Sequence, residues 1–372
     1  MTARATPDGR LGAAVDAVTV EIIGSALLSV ADEMGEALVR AAYSDNIKER
    51  RDSSTAIFDA RGQTLAQAAH IPIHLGSLLG VVDAVLRRYP PGDIHEGDMF
   101  VGNDPYAAGG THLPDIVMTA PVFHEGFLVG FVASVGHHAD FFDRGEGRHV
   151  WQEGLRIPAI RVIEGGTLRR DLMDMILLNC QLPRERAGDF RAQFAVNHLG
   201  VSRIQEICSR HSVARVLAAG AALLDATEAR MRGGLRRIPN GVYTFEDSLD
   251  PSYLDAPVRL EVTVTKEADH IRLDFSGCPP QGAHPFNMNW TATLATCYYA
   301  LKTLVDPEIP ANGGLYRAVT VSAPKGTIVN CQEPAAVGYR MQTCQRVVDL
   351  IYGALAPAIP GHRVALIDKV PL

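Results

Sequence analysis

Apolar residues recur at Ile22, Ile23, Leu27, Leu28, Met34, Leu38 and Val39, close to the period of an α-helix. Residues 18–43 therefore read as one long amphipathic helix, with Asp16 or Thr19 available to cap its start. Residues 55–67 read as a β-hairpin turning through Asp59-Ala60-Arg61-Gly62, since Asp and Gly suit a tight turn. A loop over 70–80 leads to a helix through Arg88, which Tyr89-Pro90-Pro91-Gly92-Asp93 ends. Residues 99–101 read as a short strand. Residues 116–123 and 128–136 are apolar, rich in β-branched side chains and separated by Glu125-Gly126, which predicts two buried, paired strands. Helices follow over 170–182, 186–210 and 212–232, then a half-buried hairpin over 258–264 and 271–275, a helix over 290–304 and a short strand over 318–321. Strands and helices mix without a regular βαβ rhythm, so the expected class is α+β. Gly233–Asn240 clusters Gly-Gly, Arg-Arg and Pro-Asn-Gly, and the expected division is 13–235 and 236–372.

With 372 residues, 47% of them apolar, the chain has material for a sizeable core. A net charge of −7 and no basic run longer than Lys48–Arg51, which Glu49 interrupts, argue against a nucleic-acid partner. The six cysteines form no C-x-x-C pair and read as reduced thiols, giving a cytoplasmic expectation. Residues 1–12 have no apolar core of a secretory signal, and the run 127–136 is too short to span a bilayer.

Absent motifs narrow the chemistry. The chain has no G-x-x-x-x-G-K-[ST], no G-x-G-x-x-G after a strand, no H-E-x-x-H and no G-x-S-x-G. What remains is His112-Leu113-Pro114-Asp115 just before one predicted strand and His137-His138-Ala139-Asp140 just after the next. If the strands pair as a hairpin, both segments lie at one end of the sheet. Two imidazoles and one or two carboxylates then converge, a donor set that Zn, Mn and Fe(II) accept. Adjacent residues on a strand end point to opposite faces, so only one of His137 and His138 is expected to hold metal. The other, with Asp140, is a candidate for supporting contacts or for proton transfer. Asp52 is a further ligand candidate, and Arg50 or Arg51 could hold an anionic substrate. Asn103 and Asp104, followed by Gly109-Gly110-Thr111, could shape the rim of the site, and His74 could touch substrate. Each of these groups could equally be satisfied by ordinary hydrogen bonds or lie on a solvated face.

The stretches NIKERRD (46–52), AIFD (56–59), HIPIHLGS (70–77), NDPYAAGGTHLPD (103–115) and HHAD (137–140) together resemble the hydantoinase B/oxoprolinase family. Gln152-Glu153-Gly154-Leu155, Gly188-Asp189 with Ala192-Gln193, and Asp274-Phe275-Ser276-Gly277 fit the same pattern. The resemblance runs from about 18 to about 355 and covers N-methylhydantoinase B subunits, the corresponding half of 5-oxoprolinase, and acetone and acetophenone carboxylase subunits. It implies an A-type partner subunit that uses ATP to phosphorylate the substrate oxygen, in a hetero-oligomer. It also implies a divalent metal (Zn, Mn or Fe) on His112, Asp115 and His137, with Asp52 as a weaker candidate. The implied reaction is opening of a small cyclic amide, with His138 or Asp140 moving protons. Two departures stand out. The run 141–147 lacks the Gly-Gly and Pro-Gly-Ser that the family carries after HHAD, which leaves a ketone carboxylase as an alternative. The family also continues beyond the equivalent of Leu355, and the tail 361–372 does not match it, so a C-terminal part is expected to be missing. A truncated, non-catalytic paralogue that binds a partner is the third reading.

Overall fold

The computed structural model describes residues 15–69, 78–138, 147–250, 254 and 256–359. They form mixed helices and mostly antiparallel strands in two compact units. Of the described residues, the first takes in 15–69, 78–138, 153–225 and 311–313, and the second 147–152, 226–250, 254, 256–310 and 314–359.

The first unit is built on a seven-stranded antiparallel sheet. Its strands are β1 (Ser53–Asp59), β2 (Thr64–Ala69), β3 (Met99–Gly102), β4 (Asp115–His124), β5 (Phe127–His137), β6 (Ile160–Glu164) and β7 (Thr167–Leu168), in the order β2-β1-β5-β4-β3-β6-β7. The central strands are covered on both faces, which is why β4 and β5 read as continuous apolar runs rather than alternating ones. One face packs Ile57, Ile116, Met118, Ala120 and Val132 with α1 (Ala17–Ala41) residues Ile23, Leu27 and Met34 and with Phe190. The other packs Phe58, Phe100, Val117, Phe131 and Val135 with Val81, Val82 and Val85. The period of two along each strand thus feeds two cores.

Asp16 caps α1 through the Thr19 amide at 2.9 Å, which settles the choice between the two capping candidates. A four-residue helix, α2 (Asp45–Lys48), precedes β1, and α3 (Val81–Arg88) follows the β1–β2 hairpin. The helix expected over 170–182 is shorter, α4 (Arg170–Leu178). The next, α5 (Pro183–His211), starts earlier than expected because Pro183 takes the first turn, where its missing N–H costs nothing. It is followed by α6 (Val213–Leu235). Among the described residues no single helix is long and apolar enough to cross a membrane.

The second unit holds a four-stranded sheet of β8 (Gly241–Leu249), β9 (Val258–Glu267), β10 (His270–Asp274) and β11 (Val319–Ser322), in the order β11-β10-β9-β8. β10 and β11 run parallel. Helices α7 (Trp290–Val305) and α8 (Arg340–Leu355) pack on each other, and α8 lies along β8 and β9. β8 and α8 have no counterpart in the sequence-based expectation. β8 is half-exposed along most of its length, and α8 buries Arg340, Thr343 and Asp349 among its apolar residues, which blurs the helical period.

Candidate metal centre

The β4–β5 hairpin pairs Asp115 with His137, so the first residue of one strand lies opposite the last of the other. The loop before β4 folds back on itself, with the Asp115 amide donating to the His112 carbonyl at 3.2 Å. The His138 amide donates to the Pro114 carbonyl at 2.8 Å, and the His137 amide to the Asp52 carbonyl at 3.0 Å. The end of β5 is therefore held from both sides.

His112, Asp115 and His137 converge here, each offering a ligand atom within 4.8 Å of the others. His112 Nε2 stands 3.0 Å from Asp115 Oδ1, and Thr111 Oγ1 donates to Asp115 Oδ2 at 2.9 Å. The two imidazole rings lie 5.1 Å apart, centroid to centroid. Asp115 and His112 are buried, while His137 is only half-buried and keeps the cluster open. Two neutral imidazoles and one carboxylate fit a divalent ion of the Zn, Mn or Fe(II) type and leave coordination positions over. The buried Asp115 carboxylate, turned toward the cluster by Thr111, supplies the negative charge such an ion needs.

Asp52 is half-buried beside the cluster but outside the group whose ligand atoms converge, and it contributes its carbonyl to the His137 amide. Arg50 is exposed just past α2, and Arg51 makes a two-pronged ion pair with Glu36 at 2.7 and 3.1 Å. Asn103 is fully buried. Its Nδ2 donates to the carbonyls of Leu113 and Leu155, both at 2.9 Å, and its Oδ1 accepts from the Ile157 amide at 2.6 Å. With its amide committed to three backbone groups, it braces the loop that carries His112 rather than facing a substrate. Asp104 is also buried. It pairs with Arg156 and accepts from the Tyr106 and Ala107 amides at 2.9 and 2.7 Å, so its carboxylate shapes the loop. His74 and Asp140 lie outside the described residues.

His138 points away from His137, as neighbours on a strand do. Its ring is fully buried against Phe190, and Nε2 lies 2.9 Å from Gln193 Oε1. Burial outweighs the nearby Asp189 carboxylate and pushes the imidazole down to about 4, so it is neutral near pH 7. Gln193 Nε2 donates to the Ile116 and Ser134 carbonyls at 2.9 and 3.4 Å, which leaves Oε1 to accept and puts the His138 proton on Nε2. A ring so enclosed corrects the expectation that His138 exchanges protons with a substrate at this cluster.

The family resemblance takes in Asp189 and Gln193, but their part in supporting this site, with Asn197 and Asn46, was not read from the sequence. On α5, Asp189, Gln193 and Asn197 sit one turn apart and are all buried. Asp189 Oδ1 accepts from the Tyr43 and Ser44 amides at 2.7 and 3.1 Å, and Asn197 Nδ2 donates to Ser134 Oγ at 2.7 Å. Asn46, on α2, brings Nδ2 within 3.0 Å of His137 Nδ1. Gly136 makes room for this packing, since a Cβ there would come within 2.9 Å of Ile47 Cδ1. The available signal was three polar residues at i, i+4 and i+8 on the face of α5 that also carries Phe190 and Val196.

Comparison with known proteins matches the hydantoinase B/oxoprolinase family model to residues 16–367. The match therefore runs past 361, into the tail expected to fall outside it. An uncharacterised protein of Methanocaldococcus jannaschii is 35% identical over 366 residues, covering 96% of this chain and 63% of its own length. 5-Oxoprolinase 1 of Arabidopsis thaliana is 32% identical, covering 91% of this chain and 29% of its own. The crystal structure of the ATP-dependent caprolactamase from Pseudomonas jessenii superposes with a TM-score of 0.88 at 30% identity, over 93% of this chain and 61% of that one. The chain thus spans less than two thirds of the length of these relatives. The sequence match across nearly its whole length, together with the shared α+β architecture, shows that the chain belongs to the hydantoinase B/oxoprolinase family.

Proposed function

We propose that this chain is the metal-bearing B-type component of an ATP-dependent cyclic amide hydrolase, opening hydantoin-, N-methylhydantoin- or 5-oxoproline-type rings. It would act in a hetero-oligomer with an A-type subunit that carries the ATP site. The observation that carries the reading is the convergence of His112, Asp115 and His137 at a partly open sheet end. The names of the relatives, 5-oxoprolinase and ATP-dependent caprolactamase, supply the substrate class and the ATP requirement. Cytoplasmic residence fits the six buried free cysteines.

In this reading His112, Asp115 and His137 hold a divalent ion of Zn, Mn or Fe type, whose chemistry when bound is polarisation of a carbonyl and activation of water near neutral pH. Thr111 orients the Asp115 carboxylate, and the Asp104–Arg156 pair and Asn103 hold the loop around it. His138 acts as a neutral strut between β5 and α5. Proton traffic at the scissile nitrogen is assigned to Asp140, and capture of an anionic substrate group to Arg50.

The test is metal content by mass spectrometry on the chain co-expressed with its A-type subunit, beside a His112→Ala/His137→Ala double variant. About one equivalent of Zn, Mn or Fe, lost in the variant, is expected for a single site. ATP-dependent opening of a cyclic amide, abolished with the metal, is expected alongside it. A folded wild-type complex with no metal refutes the reading, and bicarbonate-dependent consumption of a ketone in place of ring opening moves it to the carboxylase reaction.

A further inference from the structure

The turn of the β4–β5 hairpin and the junction of α5 with α6 flank an open cavity of about 490 Å³. It lies at the other end of the hairpin from the metal cluster. β4 runs ten residues from Asp115 to His124, so the two places are about 30 Å apart. Gln205 Nε2 donates to the Phe123 carbonyl at 2.8 Å, which holds the hairpin turn beside the end of α5. There the chain bends by 106° from α5 into α6 through Ser212, whose φ of 69° lies in the left-handed region that few side-chain-bearing residues adopt.

The lining is basic and comes from three elements. His124 ends β4, Arg210 and His211 end α5, and Arg215 lies in the first turn of α6, with Glu125 the single carboxylate beside them. None of the four basic side chains makes a hydrogen bond or an ion pair among the described residues. Arg203, two turns earlier on α5, is by contrast held by Glu33 and Glu206. Arg210 and His211 complement the negative end of α5, but Arg215 stands at the positive end of α6, in a turn without an acidic residue. Uncompensated positive charge therefore gathers in one cavity.

We propose that this cavity binds a phosphate group, free or as the ester of a small polar molecule. Two guanidinium forks match the oxygens of a tetrahedral dianion, and an anion there relieves the clash of Arg215 with its own helix dipole. The volume exceeds what phosphate needs and falls within the range of small-molecule sites, about 300–1,000 Å³. Cys208 and Val213 are the only apolar residues in the lining, so the remainder of such a ligand is polar. The site is separate from the metal cluster, and the inference does not rest on the metal reading.

The test is isothermal titration calorimetry of the full chain with inorganic phosphate, glycerol phosphate and acetate. Both phosphates are expected to bind saturably at one per chain, and acetate far more weakly. Tighter binding of inorganic phosphate marks the free ion as the ligand, and tighter binding of the ester marks a phosphorylated small molecule. Arg215→Gln and Arg210→Gln, at exposed positions, are each expected to weaken phosphate binding roughly 10–100-fold with an unchanged far-UV circular dichroism spectrum. Arg191→Gln, exposed on α5 but outside the cavity, should bind as the wild-type chain does and so controls for overall charge. No saturable binding at millimolar phosphate, unchanged affinity in Arg215→Gln, or an equal loss in Arg191→Gln overturns the proposal. So does a glutamate-rich peptide that displaces phosphate at lower concentration than the ester, which makes the cavity a contact for an acidic protein segment instead.

Discussion

Replacing Asn103 by Ala tests whether this residue is an anchor or a substrate contact. Its side chain meets three backbone groups in a fully buried setting: the Leu113 and Leu155 carbonyls and the Ile157 amide. Each buried group left without its partner costs about 1–3 kcal/mol, and a water entering the space left by the amide recovers part of that. A net loss of roughly 3–5 kcal/mol is expected, a large share of the stability of a typical domain. For a unit of this size the loss corresponds to a fall in Tm on the order of 10 °C. Asn103→Asp keeps the bond from Ile157 but turns a carboxylate toward two carbonyl oxygens, so it should do no better. Because the Leu113 carbonyl lies between His112 and Asp115 in the chain, both variants should also bind metal more weakly. The assay is urea unfolding followed by far-UV circular dichroism, with metal affinity measured on the same samples. A surface contact with substrate would leave stability within about 0.5 kcal/mol of wild type, and that result refutes the anchoring argument.

Asp189→Asn removes the charge facing the fully buried Arg186, whose Nη1 lies 3.4 Å from Asp189 Oδ2, and should cost about 1–3 kcal/mol because it leaves that cation with Glu185 alone as its carboxylate partner. An unchanged unfolding midpoint would show that the pair contributes nothing. The His138 imidazole, pushed down by burial to about 4 from 6.5, accepts a proton in the unfolded chain before it does so in the folded one. Stability from this residue is complete above pH 6.5 and is lost as pH falls toward 4, by roughly 3 kcal/mol in all. A plot of unfolding free energy against pH should therefore be flatter in His138→Gln over that interval, and parallel curves would remove His138 from the account. Added Zn at about 100 times its Kd should raise unfolding free energy by about 2.7 kcal/mol in the wild-type chain and not in His112→Ala. Equal shifts in both would place the ion elsewhere.

The parts of the site legible in the sequence are those that depend on local spacing. The apolar runs before and after Glu125-Gly126 make a hairpin that brings the two segments to one end of the sheet, whereas the exact pairing of Asp115 with His137 depends on the register shift at Val122/Phe123, which local spacing does not show. The same alternation separates His137 from His138. The braces that hold these residues were not legible, because each joins positions far apart in the chain. Asn103 reaches Leu155 and Ile157, Gln193 reaches Ile116 and Ser134, and Asp189 reaches Tyr43 and Ser44. Asn103 and Asp104 look like rim residues in a Gly-rich loop, yet folding commits both to backbone groups and a neighbouring arginine.

That division has a physical basis. A metal site needs its donors on a rigid element, and two of the three candidate ligands, Asp115 and His137, sit at the ends of central strands in a sheet covered on both faces. Covering both faces, however, buries the polar ends of the strands, and those groups must be satisfied from the layer above. Helix α5 supplies that layer with a polar row inside an otherwise apolar face, at a spacing of about 6 Å per step. Gln193 then touches both strands of the hairpin at once, so a substitution there should loosen the strand end and the metal together. Gln193→Leu, which fills the space but leaves the Ile116 carbonyl and His138 Nε2 without their partner, is expected to lower stability by about 2–4 kcal/mol. Hydrogen exchange at Ile116 and His137 should rise in parallel. Faster exchange confined to α5, with the hairpin end unchanged, would mean that the helix row is only its own packing device and that the strand end is held by backbone pairing alone.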